Sequence, residues 1–141
     1  MRQRGRNIQR QRKVLKQQMV EKLIMQDGRQ VIKDFYDSLD SLKGRVMIAN
    51  ISIAEKEQVN DLYKEKFSNF RKSFVDGLLA VDKRFGRDVL KTMDELLNVI
   101  TDAIFDNNEQ LNVPEKYEKS IGSRIQDSKG KLIKLLCSYE G

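Results

Sequence analysis

The sequence predicts an all-α protein: an elongated antiparallel bundle of about four helices with a basic N-terminal arm. Its 141 residues include one proline and eight glycines, too few turn residues for the regularly spaced hairpins of a β-sheet protein. Charged residues make up 34 % of the chain, and apolar residues recur at spacings of three and four, which is typical of amphipathic helices. A chain of this length corresponds to one domain.

The first predicted helix begins at about residue 8. Apolar residues recur along it in two groups: Ile8, Leu15, Met19, Leu23 and Ile24, then Val31, Phe35, Leu39, Leu42 and Val46. Asp27-Gly28 between the groups is a turn signal, but the apolar stripe stays in phase across it. We therefore expect one long helix kinked at Gly28, with two separate helices over residues 8–49 as the alternative.

Two further helices are predicted between residues 52 and 105. Ser52 and Glu55 match a capping box, so the second helix should begin at Ser52. We expect its boundary with the third helix at Gly86, and another backbone close to Gly77. The apolar stripe of the two helices is Val59, Leu62, Tyr63, Phe67, Phe70, Phe74, Leu78, Val81, Phe85, Val89, Met93, Leu96, Ile100, Ala103 and Ile104.

The last predicted helix begins at Pro114, because proline is favoured in the first helical turn. Its apolar residues are Tyr117, Ile121, Ile125, Leu132, Leu135 and Leu136. The single cysteine, Cys137, is expected to be a small buried residue of this helix.

The residue inventory argues against catalysis and metal binding. The chain has no histidine and one cysteine, whereas zinc and most transition-metal sites need several such ligands. Residues 106–117 lack the glycine and the final glutamate of a calcium-binding loop. No glycine-rich phosphate-binding loop is present. We therefore expect a protein that is not an enzyme, with no metal, no cofactor and no small-molecule substrate.

Basic charge is concentrated in the first 20 residues, which contain no acidic residue. The other residues hold 20 of the 27 basic residues and all 21 acidic ones, a net charge of −1 against +6 for the whole chain. The sequence thus divides into a basic arm over residues 1–20 and a single helical-bundle domain over residues 21–141. The expected anion-binding residues of the arm are Arg2, Arg4, Arg6, Arg10, Arg12, Lys13 and Lys16.

A second basic cluster, here called the basic patch, consists of Lys83, Arg84, Arg87 and Lys91. Three of its members share one helix face, so the patch can extend a phosphate-binding track from the arm. Three aspartates in the same stretch (residues 82, 88 and 94) dilute its charge. An ordinary solvated helix surface is therefore the preferred interpretation of the patch.

The arm has four interpretations. Contact with a nucleic-acid backbone ranks first, because arginine pairs with phosphate through two hydrogen bonds. An anionic membrane surface, an acidic protein partner and a merely solubilising tail follow. We expect a cytoplasmic, non-enzymatic interaction module that binds nucleic acid without sequence specificity. The alternatives are the cytoplasmic helical domain of a membrane-attached protein, with the arm flanking a membrane span if the chain is a fragment, and a self-associating structural or adaptor protein that forms homo-oligomers.

Overall fold

The computed structural model describes residues 2–49, 52–107 and 110–140, except for the side chains of residues 2–10, 13 and 27. This part of the chain is 90 % helical, with five helices and no strand, which confirms the all-α class. The helices are α1 (Arg2–Lys22, Leu23–Gly28 and Arg29–Asp40), α2 (Lys43–Ile48), α3 (Ile53–Phe70, Arg71–Val75 and Asp76–Val81), α4 (Lys83–Phe105) and α5 (Pro114–Tyr117, Glu118–Gly122 and Ser123–Cys137).

Helices α1, α3 and α5 each contain a short π-helical stretch, the middle range given above. The residues at both joints of each stretch keep right-handed helical backbone angles, so each of the three is one continuous helix. Gly28, where a kink or a break was expected, ends such a stretch with φ −62° and ψ −42°. The break comes later, at Ser41 and Leu42, before the short helix α2.

The four long helices pack antiparallel in chain order. Phe35 of α1 contacts Phe67 and Phe70 of α3, with ring centroids 5.0 and 4.3 Å apart. Earlier in α1, Gly28 lies against the ring of Phe74. Earlier residues of α1 therefore contact later residues of α3, which shows that the two helices are antiparallel. These contacts also explain the burial of this aromatic row, which the sequence pattern predicted as core and which packs at helical spacing.

Side-chain hydrogen bonds join the other long helices. Asn60 of α3 accepts a bond of 2.8 Å from Thr101 of α4. Tyr36 of α1 and Ser128 of α5 share a buried bond of 3.1 Å. At the start of α3, the hydroxyl of Ser52 accepts a bond from the backbone N–H of Glu55, as the capping box predicted. Pro114 begins α5, also as predicted.

The boundary between α3 and α4 lies at Asp82, not at Gly86. Asp82 has extended backbone angles, and its carboxylate accepts a bond from the backbone N–H of Phe85, which makes it the N-cap of α4. Gly86 is buried inside α4, where a Cβ atom would lie 2.7 Å from the Cα and N atoms of Leu79. The sharp chain reversal thus brings two helix backbones together at Gly86. At Gly77, where such an approach was expected, a Cβ would make only ordinary contacts with Leu23.

The arm differs most from the prediction. Its helix begins at Arg2 rather than at about residue 8, because arginine and glutamine favour helices and the first turns contain no proline. Leu15 and Met19, expected in the apolar stripe, are 58 % and 55 % exposed, whereas Val20 is fully buried. Cys137, expected to be buried, is exposed.

Candidate functional site

A buried carboxylate lies at the end of the bundle where α1, α4 and the end of α5 meet. Asp82 is 6 % exposed. Its Oδ1 accepts a bond of 3.1 Å from the backbone N–H of Phe85, and its Oδ2 accepts one of 2.9 Å from the hydroxyl of Tyr139. The Nζ atom of Lys16 lies 3.5 Å from the same Oδ2. One side chain therefore caps α4, holds the chain after α5 and pairs with the arm.

The charge of Asp82 is maintained by its partners. Burial alone would raise the pKa of Asp82, but the bonds from Phe85 and Tyr139 and the charge of Lys16 together hold this pKa below its usual value. Burial and the neighbouring carboxylate raise the pKa of Tyr139 to about 12. At neutral pH the site is thus a carboxylate paired with an ammonium group and hydrogen-bonded to a neutral phenol.

The arm extends α1 past this end of the bundle. Helix α3 ends at Val81 and α4 begins at Lys83, beside Lys16 of α1. The part of α1 before Lys16 continues for roughly 20 Å at 1.5 Å per residue. In this part Arg12, Val14 and Leu15 are exposed. The described side chains just before Lys16 are therefore presented to solvent on a helix.

The predicted arm residues divide into three groups. Arg12 is exposed and faces solvent. Lys16 is half-buried and engaged with Asp82. The side chains of the others lie outside the described part of the structure, although their backbone belongs to α1: Arg2, Arg4, Arg6, Arg10 and Lys13.

The basic patch lies at the same end of the bundle as the arm. All its members are exposed on α4: Lys83, Arg84, Arg87 and Lys91. The patch begins at the residue after Asp82, which Lys16 contacts, so the start of the patch lies beside the part of the arm that contains Lys16. Asp82 is buried and paired and does not dilute the patch at the surface. Exposed Asp88 and Asp94 still limit it farther along the helix.

The outward face of the arm is mixed. Leu15 and Met19 are one turn apart, and Arg12 and Lys22 lie on the same face at helical spacing. All four side chains are exposed. This face combines cations with apolar side chains that the bundle does not cover.

Asp82 and Tyr139 are central to the site, but the sequence pattern indicated only that Asp82 dilutes the charge of the basic patch and gave no role to Tyr139. An aspartate three residues before Phe85 is a recognisable N-cap signal for α4. Tyr139 follows the last helix and carries no comparable signal, because its bond to Asp82 exists only in the folded bundle.

The described residues form neither a metal-binding cluster nor a membrane-spanning helix. Within the described ranges, no three carboxylate or thiol side chains cluster closely enough to hold a metal ion. No helix in the same ranges is both long and apolar enough to cross a lipid bilayer. In comparisons with known proteins, no family model, curated protein or solved structure matches this chain significantly.

Proposed function

We propose that this protein is a non-enzymatic interaction module that binds a nucleic-acid backbone through its arm and its basic patch. The contact of Lys16 with Asp82 carries the proposal, because it places the arm beside the start of α4. In this proposal, two basic segments that are distant in sequence act as one binding surface. An extended row of cations suits a phosphate backbone, whose negative charges repeat at short intervals.

The chemistry of such binding is counterion release. Each cation that neutralises a phosphate of duplex DNA frees condensed counterions, and the logarithm of affinity falls with the logarithm of salt concentration by about 0.9 per phosphate. Contacts to phosphates carry no sequence information, so the proposed binding is independent of sequence. Arginine predominates in the arm and supplies two-bond contacts to phosphate.

The test is fluorescence anisotropy with labelled single- and double-stranded oligonucleotides, between about 50 and 200 mM salt. One variant replaces the arginines at positions 2, 4, 6 and 10 by glutamine, which preserves the helix. A second carries Arg84→Gln and Arg87→Gln. Arg124→Gln, an exposed arginine elsewhere on the bundle, is the matched control.

We expect tight, salt-sensitive binding. The slope of log affinity against log salt concentration should become less steep by about 0.9 for each contacting cation removed. The arm variant should lose most of its affinity, the patch variant part of it, and the control none. An unchanged slope in both basic variants, or no binding at the lowest salt concentration, would refute the proposal.

A second candidate is an anionic membrane surface, favoured by the exposure of Leu15 and Met19 beside the cations of the arm. A basic helix with an apolar face lies in the plane of a membrane interface, and each cation near anionic lipid contributes about 1 kcal/mol. Co-sedimentation with phosphatidylserine vesicles tests it. Leu15→Gln with Met19→Gln should abolish vesicle binding but leave oligonucleotide binding unchanged. If the double variant sediments like the unmodified protein, the apolar face has no part in membrane binding.

A further inference from the structure

An open apolar trough runs between α1 and α5, with a volume of about 670 Å³. Its walls are formed by Ile24, Met25 and Ile32 of α1, by Ile133, Leu136 and Cys137 of α5, and by Tyr139. Met25 is 64 % exposed and Ile133 is 44 % exposed, so the apolar surface is open to solvent. None of these residues belongs to the arm or the basic patch.

The rim of the trough is predominantly basic. Arg29 and Lys33 stand one turn apart on α1, and Lys129 lies opposite on α5. Arg29 and Lys33 form no ion pair with a described carboxylate. Glu21 is the acidic residue of the lining, and it accepts a bond of 3.1 Å from Gln17. The trough therefore combines an apolar floor with three cations, of which Arg29 and Lys33 have no ion-pair partner among the described carboxylates.

The shape of the trough selects the kind of occupant. Along α1 it extends from Glu21 to Lys33, roughly 18 Å or about three helical turns. A small molecule needs about 70–90 % of its surface buried, whereas the exposed Met25 and Ile133 leave one side of the trough open to solvent. A helix needs to bury only one face, and an amphipathic helix in a groove is a common mode of recognition.

We propose that the trough binds an amphipathic helix of a partner protein, with apolar residues on one face and acidic residues beside them. Charge complementarity identifies the partner as acidic, since Arg29, Lys33 and Lys129 border the apolar floor. Two copies of this chain placed trough to trough would set the same cations against each other. The arm of a second copy is also basic and would be repelled.

The probe for this proposal is a fluorescein-labelled peptide of about sixteen residues, enough for a short helix. Leucine occupies the positions i, i+3, i+4 and i+7 of its repeating face, and glutamate occupies most others. The control peptide has lysine in place of every glutamate. Cys137 supplies a second readout, because it is the only cysteine of the chain, is exposed and lines the trough. Its rate of reaction with a thiol reagent reports occupancy directly.

We expect the glutamate peptide to bind and to slow the modification of Cys137, and the lysine peptide to do neither. Arg29→Glu with Lys33→Glu should weaken binding about tenfold, since two exposed ion pairs are replaced by repulsion. Ile133→Glu should abolish binding. Val99→Glu, which changes an exposed apolar residue in a different groove, is the matched control and should bind normally. Circular dichroism melts verify that every variant is folded.

Three results would overturn the proposal. The first is failure of the glutamate peptide to bind, or equal binding of both peptides. The second is unchanged reactivity of Cys137 at saturating peptide. The third is a dimeric mass in light scattering, together with protection of Cys137 by the protein alone, which would make a second copy the occupant. None of these depends on the arm, so oligonucleotide binding and trough binding can fail separately.

Discussion

Replacing Gly86 with alanine tests the close approach of α3 and α4 beside Asp82. The added Cβ would lie 2.7 Å from the Cα and N atoms of Leu79 and 2.8 Å from its Cδ2. A flexible side chain could move aside, but two of these atoms belong to the backbone of α3. The variant can therefore fold only if the two helices move apart at the end of the bundle that carries the arm.

Two opposing contributions determine the size of the effect. Alanine is a better helix former than glycine by about 1 kcal/mol. Overpacking a close-packed interior costs about 1–3 kcal/mol, and the upper end applies where backbone must shift. We expect a net loss of about 2 kcal/mol of unfolding free energy. At roughly 3–4 °C for each kcal/mol, Tm should fall by about 7 °C.

Gly44→Ala and Gly130→Ala are the matched controls. Both glycines lie in exposed helix positions where, apart from the neighbouring residues and backbone of the same helix, no heavy atom lies within 4 Å of the added Cβ. Only helix propensity changes at these two positions, so the free energy of unfolding of each control variant should rise by up to about 1 kcal/mol. The assay is thermal and urea unfolding followed by circular dichroism. If Gly86→Ala is as stable as the controls, α3 and α4 do not approach each other as described.

Two further predictions concern buried polar groups. Because the folded pKa of Asp82 is lowered, its stabilisation is present above the ordinary aspartate pKa of about 4 and is lost as pH falls through the folded value. Asp82→Asn should therefore lower Tm at neutral pH, and the Tm of the variant should fall less steeply in acid than that of the unmodified protein. An equally steep fall in both proteins would contradict this. Tyr63→Phe should preserve or raise stability, because the buried Tyr63 hydroxyl faces the Tyr117 hydroxyl without a hydrogen bond of standard geometry. Tyr36→Phe should instead lower the free energy of unfolding by about 1 kcal/mol, because it removes the hydrogen bond to Ser128. Equal melting temperatures for the two phenylalanine variants would count against both predictions.

Helical periodicity predicted the fold class and the buried face of α3 correctly, but it failed in the arm. Phe67, Phe70 and Phe74 are buried as expected because α1 and α4 lie beside them. Leu15 and Met19 follow the same spacing and remain exposed. Leu15 precedes Lys16, which lies at the junction of α3 and α4, so these helices provide no neighbour for it. Met19 lies beside fully buried Val20 but on the outer face of α1. A repeating apolar face shows which side of a helix can be covered, but not whether another helix reaches it.

Glycine was the ambiguous signal between α3 and α4. Gly86 was interpreted as a helix boundary, yet its missing side chain serves a close backbone approach inside α4. The available boundary signal was Asp82, an N-cap residue three positions before Phe85. One sequence cannot separate the two roles of glycine, because the second depends on a contact with Leu79 that forms only when both helices are in place.

Burial of Asp82 changes the charge that a polyanion would encounter. Counted along the sequence, this aspartate offsets one of the cations that follow it. In the folded protein its carboxylate is directed inward to Phe85, Tyr139 and Lys16, so it contributes little to the surface. The cation it neutralises belongs to the arm, which is anchored as a result. Counting charges along the sequence therefore underestimates the basic patch, because Asp82, the acidic residue just before the patch, holds the arm in place and adds little negative charge to the surface.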